Sequence, residues 1–497
     1  MLINAELLLQ YQRCKRRSFL DIHSKKTWVK PSNDLLYKLQ QDKITHQKSV
    51  LSKFDYKYPQ YPRKNLYLAQ KATVELMRQG VEYIHRGVII ADYTSNSTLI
   101  SYPHLLIKQT GKSQFGSWHY APVGIELGRR PKQEYQVVVA FHAYILMKLQ
   151  QSEVNSGWLI LKGKEGYYPV DLGKWIPQME AILVEFINSL QQNEAPEIFI
   201  SKQRCNFCHW YSECYTIAKS QQHLSLLPGI TPPRYTQLQE LSITTLQTLA
   251  DANPSILRNL VGFDYQSATK LIVQAKSTIK CLPILLSFNY EKITSLELYH
   301  TIELYFDIEA QPDLNLNYLL GILVVDKQNH TEKFYSFFAE APEDEESVWQ
   351  KFLDLVWQYP QAPIYHFCVY ECDTIKRLSK IYKTPQEHVY PVLNRLVDIY
   401  EYLIQNVTLP VESYALKAVA RWLGFKWRNP EASGATCIYW YDQWLKTRNR
   451  TLIKTIQLYN EDDCRATYSV KEWLFKFFQE QSPNFSASLQ IIPADHS

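Results

Sequence analysis

The two acidic residues near the end of the run 303–309, Asp307 and Glu309, are spaced so that they could bind a divalent cation. The run alternates between polar and apolar residues as a strand does, so Leu304 and Phe306 would share one face and the two acids the other. Residues two apart in a strand are separated by about 7 Å. Carboxylates at that spacing can hold hard cations between them.

Two later segments offer further candidate residues. One carries an acid, and the other carries a tyrosine one helical turn before an acid. Glu371 stands where a predicted strand, 363–367, runs into a predicted helix, 370–382. Further along, Tyr459 and Asp463 would lie one helical turn apart on the same face of a helix. The chain therefore carries acids on three separated segments.

Hydrolysis of a phosphodiester needs a water ionised near neutral pH and a leaving oxygen stabilised as it gains charge. Two divalent cations about 4 Å apart supply both, and hard cations such as Mg²⁺ and Mn²⁺ prefer carboxylate oxygens. The pattern predicts a site of this kind, in which Tyr459 would orient the attacking water. The acids predicted to hold the two ions are Asp307, Glu309, Glu371 and Asp463.

This set resembles the DnaQ-like, ribonuclease H-fold 3′–5′ exonucleases of the DEDDy kind. The resemblance implies an exonuclease domain over residues 299–482 that acts on single-stranded DNA or RNA. It departs at Glu371, because the family has aspartate there and glutamate is one methylene longer. Asp373 is a lesser candidate for that position. Asp398 is either a supporting acid or an aspartate that begins a helix.

The periodicity of the chain predicts a mixed α/β protein. Helix and strand patterns alternate in the first half, and strands followed by a βα alternation occupy the C-terminal part. Predicted strands are 88–92, 105–108, 302–309, 318–325, 333–338 and 363–367. Predicted helices are 134–149, 176–190, 345–358, 370–382, 413–423 and 451–478. Residues 483–497 are predicted to be a flexible tail.

Four of the nine cysteines have a spacing that favours a metal site. Cys205, Cys208 and Cys214 lie within ten residues, and Cys14 is near the start of the chain. Four thiolates suit either an iron–sulfur cluster or a structural zinc, and the spacing does not separate the two. An odd number of cysteines with one tight cluster fits a reducing cytoplasm better than a disulfide framework.

One remote cysteine with a later CxxCx₅C resembles the iron–sulfur RecB-family nucleases, which have a PD-(D/E)XK core. The resemblance implies a restriction-endonuclease-like domain over residues 1–220. It also implies a 4Fe–4S cluster on Cys14, Cys205, Cys208 and Cys214, with zinc as the alternative. His46 matches an early histidine of that family.

The catalytic positions of the RecB-like pattern are not matched. The family has an acid before a Leu-Leu-Ile strand, where this chain has His104, and then acid-x-lysine, where this chain has Gly124 and Glu126. Glycine has no side chain to bind a metal ion, and glutamate reverses the charge of the lysine. The N-terminal site is therefore predicted to be catalytically inactive and to act as a nucleic-acid clamp. The alternative is an active variant built from Glu126, Asp92 and Lys108.

Residues 223–278 are predicted to be a helical segment. Leu227-Pro-Gly-Ile230 and Val261-Gly-Phe263 resemble the glycine hairpins of helix-hairpin-helix elements, which approach phosphates with backbone N–H groups. A helical linker with two tight turns is the alternative. The order of the three parts resembles the bacterial family of RecB-like putative nucleases with a C-terminal ribonuclease H-like domain.

Composition limits the functional classes. The 497 residues are 46% hydrophobic and 21% charged, which indicates a globular protein, and a net charge of +5 permits nucleic-acid binding without requiring it. No apolar run approaches the roughly 20 residues that span a bilayer, and no signal peptide is evident, so a cytoplasmic protein is expected. The second functional class left open is an inactive nucleic-acid-binding or scaffold protein.

Overall fold

The structure, a computed structural model, describes residues 1–24, 34–62, 65–286 and 300–481. It divides into two compact units, Met1–Ile198 with Lys202–Tyr215, and Phe199–Ser201 with Thr216–Ser497. The predicted helical segment and the predicted exonuclease domain therefore lie in the same unit. The predicted tail, 483–497, lies outside the described residues. Within the described residues, no helix has both the length and the apolar composition that crossing a membrane requires.

The first unit contains two sheets and several helices. Its strands are β1 (Leu2–Asn4), β2 (Tyr56–Lys57), β3 (Tyr83–His85), β4 (Ile89–Thr94), β5 (Ser97–Ser101), β6 (Leu105–Ser113), β7 (Gly116–Glu126), β8 (Trp158–Leu161) and β9 (Tyr168–Pro169). Its helices are α1 (Ala5–Arg13), α2 (Lys15–His23), α3 (Asp34–Leu51), α4 (Leu66–Arg78), α5 (Gln133–Gln150), α6 (Leu172–Leu190), α7 (Lys202–Cys205) and the start of α8 (Tyr211–Ser220). The strand orders are β2-β3-β6-β7-β8-β9 and β1-β5-β4.

The second unit begins with a helical segment that has its own apolar core. After a 3₁₀ turn at Leu224–Leu226 come α9 (Pro232–Glu240), α10 (Leu246–Ala250), α11 (Pro254–Leu257) and α12 (Tyr265–Lys280). Gly229 and Gly262 precede α9 and α12 with φ of +85° and +81°, a backbone region that glycine adopts without a Cβ penalty. Arg234 donates hydrogen bonds to the carbonyl oxygens of both glycines, at 2.9 and 3.0 Å.

A five-stranded mixed sheet follows in the order β13-β12-β11-β14-β15. Strands β11 to β13 are antiparallel, whereas β14 and β15 run parallel to β11. The strands of this part are β10 (Ile284–Leu285), β11 (Ile302–Gln311), β12 (Leu316–Asp326), β13 (Thr331–Phe338), β14 (Ile364–His366), β15 (Leu396–Asp398) and β16 (Val407–Thr408). The helices are α13 (Glu345–Trp357), α14 (Tyr370–Ile381), α15 (Gln386–Leu393), α16 (Ile399–Asn406), α17 (Leu416–Trp422), α18 (Gly434–Thr447) and α19 (Arg450–Gln481).

The predicted strands and helices are confirmed, with one helix shorter than expected. The helix predicted over 413–423 begins only at Leu416. Tyr414 is held outside it, because its hydroxyl donates to Oε1 of Gln274 at 2.8 Å and accepts from the backbone N–H of Leu409 at 2.9 Å. Strand β15 and helices α15, α16 and α18 were not predicted.

The predicted alternation of β11 is confirmed and decides which way the acids face. Phe306 packs against Phe352 of α13, with ring centroids 4.7 Å apart. On the opposite face, Tyr305 packs against Tyr468 of α19 at 4.9 Å. Asp307 shares the face of Tyr305, so it lies towards α19.

Candidate metal centre

Three of the predicted acids come together between β11 and α19. Asp307, Glu309 and Asp463 each offer a carboxylate oxygen, and these oxygens lie within 4.8 Å of one another. Among the residues that the structure describes, they are the only group of three or more His, Cys, Asp or Glu at such a spacing. Divalent cations bind oxygens at about 2.0–2.6 Å, so the three carboxylates could share an ion.

A close approach of α19 to the sheet brings Asp463 to the strand. Gly321 of β12 is paired with Asp307 across the ladder. Asn460, one turn before Asp463, is fully buried and donates from Nδ2 to Oδ2 of Asp307 at 2.7 Å. A Cβ at position 321 would lie 1.7 Å from Oδ1 of Asn460. A residue without a side chain is therefore required opposite Asp307.

Gly321→Ala should displace Asn460 and with it the carboxylate of Asp307. We expect a loss of about 1–3 kcal/mol in the free energy of unfolding, because overpacking in a filled core costs that much. We also expect a much smaller rise in melting temperature on addition of Mn²⁺. Gly434→Ala is the matched control, since no atom lies within 4 Å of the added Cβ. A Gly321→Ala protein with wild-type stability and a wild-type Mn²⁺ response would contradict this account.

Glu371 lies beside the group but outside it. The residue is 4% exposed, and its Oε2 has no hydrogen-bond partner. Nδ1 of His366 lies 3.6 Å from that oxygen, beyond hydrogen-bond range. The charge of Glu371 still contributes to raising the pKa of Asp307, after burial, Asp463 and Glu309. Asp373 is exposed.

A strained turn lies three residues before Glu371. Cys368 has φ of +85°, which costs a non-glycine residue about 1–3 kcal/mol. Its backbone N–H donates to Oδ1 of Asp398 at 2.9 Å, and its carbonyl oxygen accepts from Nδ1 of His366 at 2.7 Å. Asp398 also caps α16 by accepting from the backbone N–H groups of Tyr400 and Glu401. Asp398 thus begins a helix and at the same time holds the turn.

Tyr459 and Trp427 surround Asp463. The indole Nε1 of Trp427 donates to Oδ1 of Asp463 at 2.6 Å. Tyr459 is 8% exposed, and the ammonium of Lys417 lies over both rings, 5.5 Å from Trp427 and 5.6 Å from Tyr459. Burial, and then the charges of Asp463, Glu309 and Asp307, raise the pKa of Tyr459 far above its usual value. Its hydroxyl therefore stays protonated and can donate a hydrogen bond.

Burial and mutual repulsion disfavour ionisation of the three acids. The pKa of Asp307 and that of Glu309 are raised by burial and then by the charge of Asp463. Burial raises the pKa of Asp463 to about 6, although hydrogen bonds from Trp427 and Tyr459 lower it in part. A bound cation would remove this penalty, because it pairs with the charged form of each carboxylate.

The raised pKa values predict that Mn²⁺ stabilises the protein more at pH 8 than at pH 5.5. In the unfolded chain these carboxyls titrate near pH 4, whereas in the folded, metal-free protein Asp463 titrates at a pKa of about 6. The metal-free protein therefore binds more protons than the unfolded chain between these values, and it loses stability as the pH rises through them. Mn²⁺ needs ionised carboxylates, so its stabilising effect grows over the same range.

Melting temperatures with and without Mn²⁺ at several pH values check this expectation. Glu309→Gln serves as the control, because removing one charge should raise the stability of the metal-free protein at pH 8 and abolish most of the Mn²⁺ effect. A Mn²⁺ shift that is independent of pH, or that survives in Glu309→Gln, would count against a metal site at these acids.

Buried polar atoms without partners gather around the same acids. In the described part of the second unit, four of the five such side-chain atoms belong to residues beside the centre: Asn317 Nδ2, Tyr318 OH, Glu371 Oε2 and Asn460 Oδ1. A buried polar group without a partner costs about 1–3 kcal/mol. The oxygens of Glu371 and Asn460 are acceptors that a cation could satisfy, whereas the amide donor of Asn317 needs an acceptor, such as an oxygen of a substrate.

The predicted ligand cysteines lie in the first unit and are partly buried. Burial raises the pKa of the Cys208 and Cys214 thiols, and the charge of Cys14 raises both further, so these three cysteines lie near one another. Arg17 and Arg16 act in the opposite direction on Cys208 and Cys214 respectively. Within the described residues, the four cysteines do not form a group with all ligand atoms inside 4.8 Å.

In the described part of the first unit, the other residues singled out do not assemble a second acidic centre. A Cβ on Gly124 would meet Leu159 at 2.9 Å and Val139 at 3.3 Å, so an acid there would require these side chains to shift. Nδ1 of His104 accepts a hydrogen bond from the backbone N–H of Ile125 at 3.0 Å, which fixes the orientation of the ring. The charges that act most on the buried Glu126 are those of Lys43 and Arg13, which lower its pKa against the raising effect of burial.

Asp92 and Lys108, which would form the alternative site with Glu126, contact other residues. Asp92 accepts a hydrogen bond from Oγ1 of Thr98 at 3.2 Å. The ammonium of Lys108 lies over the ring of Trp118, 5.0 Å from its centroid. These contacts do not link either residue to Glu126.

The sequence reasoning missed Gly321, Asn460 and Trp427. A lone glycine in an apolar strand is a signal of close backbone approach, and it could have indicated Gly321. Asn460 directly follows Tyr459, but nothing in its type or spacing shows that it binds Asp307. Trp427 has no local signal, since it reaches Asp463 across 36 residues of chain.

One comparison, with protein-family models, concerns the second unit. Residues 304–475 match the family model described as the RNase_H superfamily. A solved structure titled "Crystal structure of SSO0001" is 11% identical and covers 43% of this chain and 86% of its own, with a TM-score of 0.23, from which no common fold follows. In a comparison with curated proteins, no protein matches the chain. Residues 304–475 thus form a domain of the RNase H superfamily, a nuclease-type fold.

Proposed function

We propose that the second unit is a metal-dependent nuclease that removes nucleotides from the 3′ end of single-stranded DNA or RNA. The observation that carries the proposal is the convergence of Asp307, Glu309 and Asp463 within 4.8 Å, inside a domain of the RNase H superfamily. The choice of a 3′–5′ direction rests on the resemblance of the motif to DEDDy exonucleases.

The residues of the chain have distinct roles in this proposal. Asp307, Glu309 and Asp463 hold Mg²⁺ or Mn²⁺, and Glu371 supplies a fourth carboxylate through its unpaired Oε2. When bound, two such ions would help ionise the attacking water and neutralise the leaving oxygen. Asn460 and Trp427 hold the carboxylates of Asp307 and Asp463 in place. Tyr459 stays protonated and orients the attacking water by a hydrogen bond.

A degradation assay with end-labelled oligonucleotides tests the proposal. Single-stranded DNA and RNA, labelled at the 5′ end, should shorten one nucleotide at a time with Mn²⁺ and remain intact with EDTA. A 3′ label should be released at once as a mononucleotide. Release from the 5′ end would contradict the direction, and internal cuts in a circular single strand would contradict an exonuclease.

An inactive nucleic-acid-binding protein is the second candidate, favoured by the position of Glu371 outside the group of three acids. That candidate predicts binding of oligonucleotides without nucleotide release on any end structure, with Mn²⁺ or Mg²⁺.

We further propose that the first unit is a RecB-like, restriction-endonuclease-like clamp that holds nucleic acid without cutting it. The packing of Gly124 against Leu159 and Val139 supports the loss of its catalytic acid. The glycine hairpins at Gly229 and Gly262 in the second unit are proposed to add backbone phosphate contacts. If Glu126→Ala abolished cleavage while Asp463→Asn did not, the first unit would instead be the nuclease.

We propose a 4Fe–4S cluster on Cys14, Cys205, Cys208 and Cys214, with zinc as the alternative metal. Support comes from the proximity of Cys14, Cys208 and Cys214, and from the buried Nε atom of Arg16, which has no hydrogen-bond partner. Anaerobically purified protein should show a visible absorption band and about four iron atoms per chain. Cys208→Ala should lose both, whereas stoichiometric zinc without colour would favour the alternative.

A further inference from the structure

Four tyrosines lie together at one edge of the larger sheet of the first unit. Tyr56 begins β2, the edge strand of the order β2-β3-β6-β7-β8-β9, and Tyr58 directly follows that strand. Three of the four residues are well exposed: Tyr56 is 39%, Tyr58 42% and Tyr102 37% exposed, whereas Tyr61 is partly buried. We call Tyr56, Tyr58, Tyr61 and Tyr102 the tyrosine surface. Contiguous apolar surface that stays exposed commonly marks a binding site.

The ring of His85 supports two of these tyrosines. Its centroid lies 5.0 Å from that of Tyr56 and 5.9 Å from that of Tyr58. Nδ1 of His85 donates to the carbonyl oxygen of His104 at 2.7 Å, which fixes the imidazole. Burial lowers the pKa of His85, so the ring is uncharged at neutral pH. Rings that pack on a fixed support lose less conformational entropy when a ligand binds to them.

Arg86 adds a positive charge to the tyrosine surface. It follows β3, it is exposed, and its φ is +53°. Burial raises the pKa of Tyr61 and that of Tyr102, and the charge of Arg86 acts against burial at both residues. The guanidinium therefore lies near both rings. A guanidinium binds phosphate oxygens through two N–H groups and stacks on flat aromatic faces.

The tyrosine surface adjoins the position at which the RecB-like pattern has its first catalytic acid. His104 occupies that position, and His85 binds its carbonyl oxygen. Burial, and then the charges of Lys43 and Arg86 among others, lower the pKa of His104 to about 3. His104 is therefore uncharged, and two cations lie near it. Positive charge at this place attracts a polyanion.

We propose that the tyrosine surface binds single-stranded nucleic acid, with bases stacked on Tyr56 and Tyr58 and a phosphate bound by Arg86. This inference rests on the proposed clamp function of the first unit and names the surface that holds the strand. Every base has a flat face, so stacking accepts DNA and RNA of any sequence. A duplex covers these faces with neighbouring base pairs, so it binds here poorly.

Photocrosslinking locates the strand on the protein. Oligothymidine strands that carry 5-iodouracil at single positions are irradiated with the full chain in EDTA, and the crosslinked peptides are identified by mass spectrometry. We expect crosslinks at Tyr56 or Tyr58 with single strands and none there with the matching duplex. Crosslinks to single strands that never include the tyrosine surface would overturn the inference.

Affinity supplies the second readout. In EDTA the three acids of the metal centre have no cation and repel phosphates, so binding to the first unit dominates. For the double variant Tyr56→Ala with Tyr58→Ala, we expect the Kd of a fluorescent single strand to rise about 10- to 100-fold, since base–aromatic stacking contributes that much. Phenylalanine at both positions keeps the rings and should leave Kd within a few fold of wild type. Leucine at both positions keeps apolar bulk without a ring and should lose most of the affinity.

Tyr168→Ala is the matched control. Tyr168 is 40% exposed and lies on β9, the opposite edge strand of the same sheet, so its loss should leave Kd unchanged. The melting temperatures of all these variants should stay near the wild-type value because the replaced side chains are exposed. A Kd that rises as much in Tyr168→Ala as in the double alanine variant would contradict a localised surface.

The salt dependence of binding tests the role of Arg86. A cation that binds one phosphate of a single strand contributes about 0.7 to the slope of log Kd against log salt concentration. Arg86→Gln should lower the slope by about this amount, whereas the double alanine variant of Tyr56 and Tyr58 should keep the wild-type slope. An unchanged slope in Arg86→Gln would remove the phosphate contact from the inference.

The outcomes separate this inference from the proposed clamp. Crosslinks elsewhere in the first unit, with equal Kd in wild type and the double alanine variant, would overturn the tyrosine surface and leave the clamp in place. Crosslinks confined to the second unit, or no binding by wild-type protein in EDTA, would overturn the clamp and the tyrosine surface together. Equal affinity for duplex and single strand would contradict base stacking.

Discussion

Asp307→Asn should lower Mn²⁺-dependent nucleotide release by about a thousandfold or more. The carboxylate of Asp307 is one of three converging oxygens, and the loss of metal-mediated stabilisation of the transition state amounts to several kcal/mol, at about 1.4 kcal/mol for each tenfold in rate. The amide of asparagine has nearly the same shape and can still accept a hydrogen bond from Asn460. The variant should therefore fold and bind oligonucleotides as the wild type does.

The decisive comparison is with Asp373→Asn. Asp373 lies two residues after Glu371, but it is exposed, so this variant should keep wild-type activity. The measurement is the initial rate of mononucleotide release from a labelled oligonucleotide at saturating Mn²⁺. A fully active Asp307→Asn protein would refute the assignment of the centre, and an inactive Asp373→Asn protein would transfer the role of the fourth acid to Asp373.

Lys471→Met should cost about 3 kcal/mol in the free energy of unfolding. Nζ of Lys471 donates to Oε1 of Glu303 at 2.8 Å and to Oε1 of Glu472 at 3.0 Å. The side chains of Lys471 and Glu303 are only 4% and 1% exposed. Removing one partner of a buried ion pair costs about 3–5 kcal/mol, and Lys327, 3.1 Å from the same oxygen of Glu303, offsets part of the loss.

Chemical denaturation of three proteins checks this expectation. Lys476→Met changes an exposed lysine of the same helix, with a side chain that is 74% exposed, and should shift the unfolding free energy by less than about 0.5 kcal/mol. The double variant Glu303→Gln with Lys471→Met should recover part of the loss, because no uncompensated carboxylate stays buried. Equal effects of Lys471→Met and Lys476→Met would mean that the buried pair contributes nothing.

The same ion pair links stability to the metal centre. Glu303 lies on β11 four residues before Asp307, and Lys471 lies on α19 eight residues after Asp463. The pair therefore holds the helix in register with the strand at one end, while Asn460 holds it at the other. A weaker Mn²⁺ response in Lys471→Met is the expected side effect.

Local patterns along the chain were sufficient for the secondary elements that carry the acids. The alternation in 302–309 reflects a strand with one face on α13 and the other on α19, and this pattern needs no distant residue. The short strand β15 escaped prediction because three residues, Leu396–Asp398, give too little periodicity. The position of β15 is set by its parallel pairing with β14.

Which of the predicted acids converge depends on contacts between distant segments of the chain, and no local sequence pattern predicts these contacts. Tyr459 and Asp463 were recognisable as neighbours on one helix, because helical spacing is a property of adjacent residues. That Asp463 reaches Asp307 and Glu309 depends on the missing side chain of Gly321 and on Asn460, whereas the turn at Cys368 leaves Glu371 outside the group of three. Core packing determines the contacts between residues that are 140 to 160 positions apart in the chain. Only the tertiary structure therefore shows them.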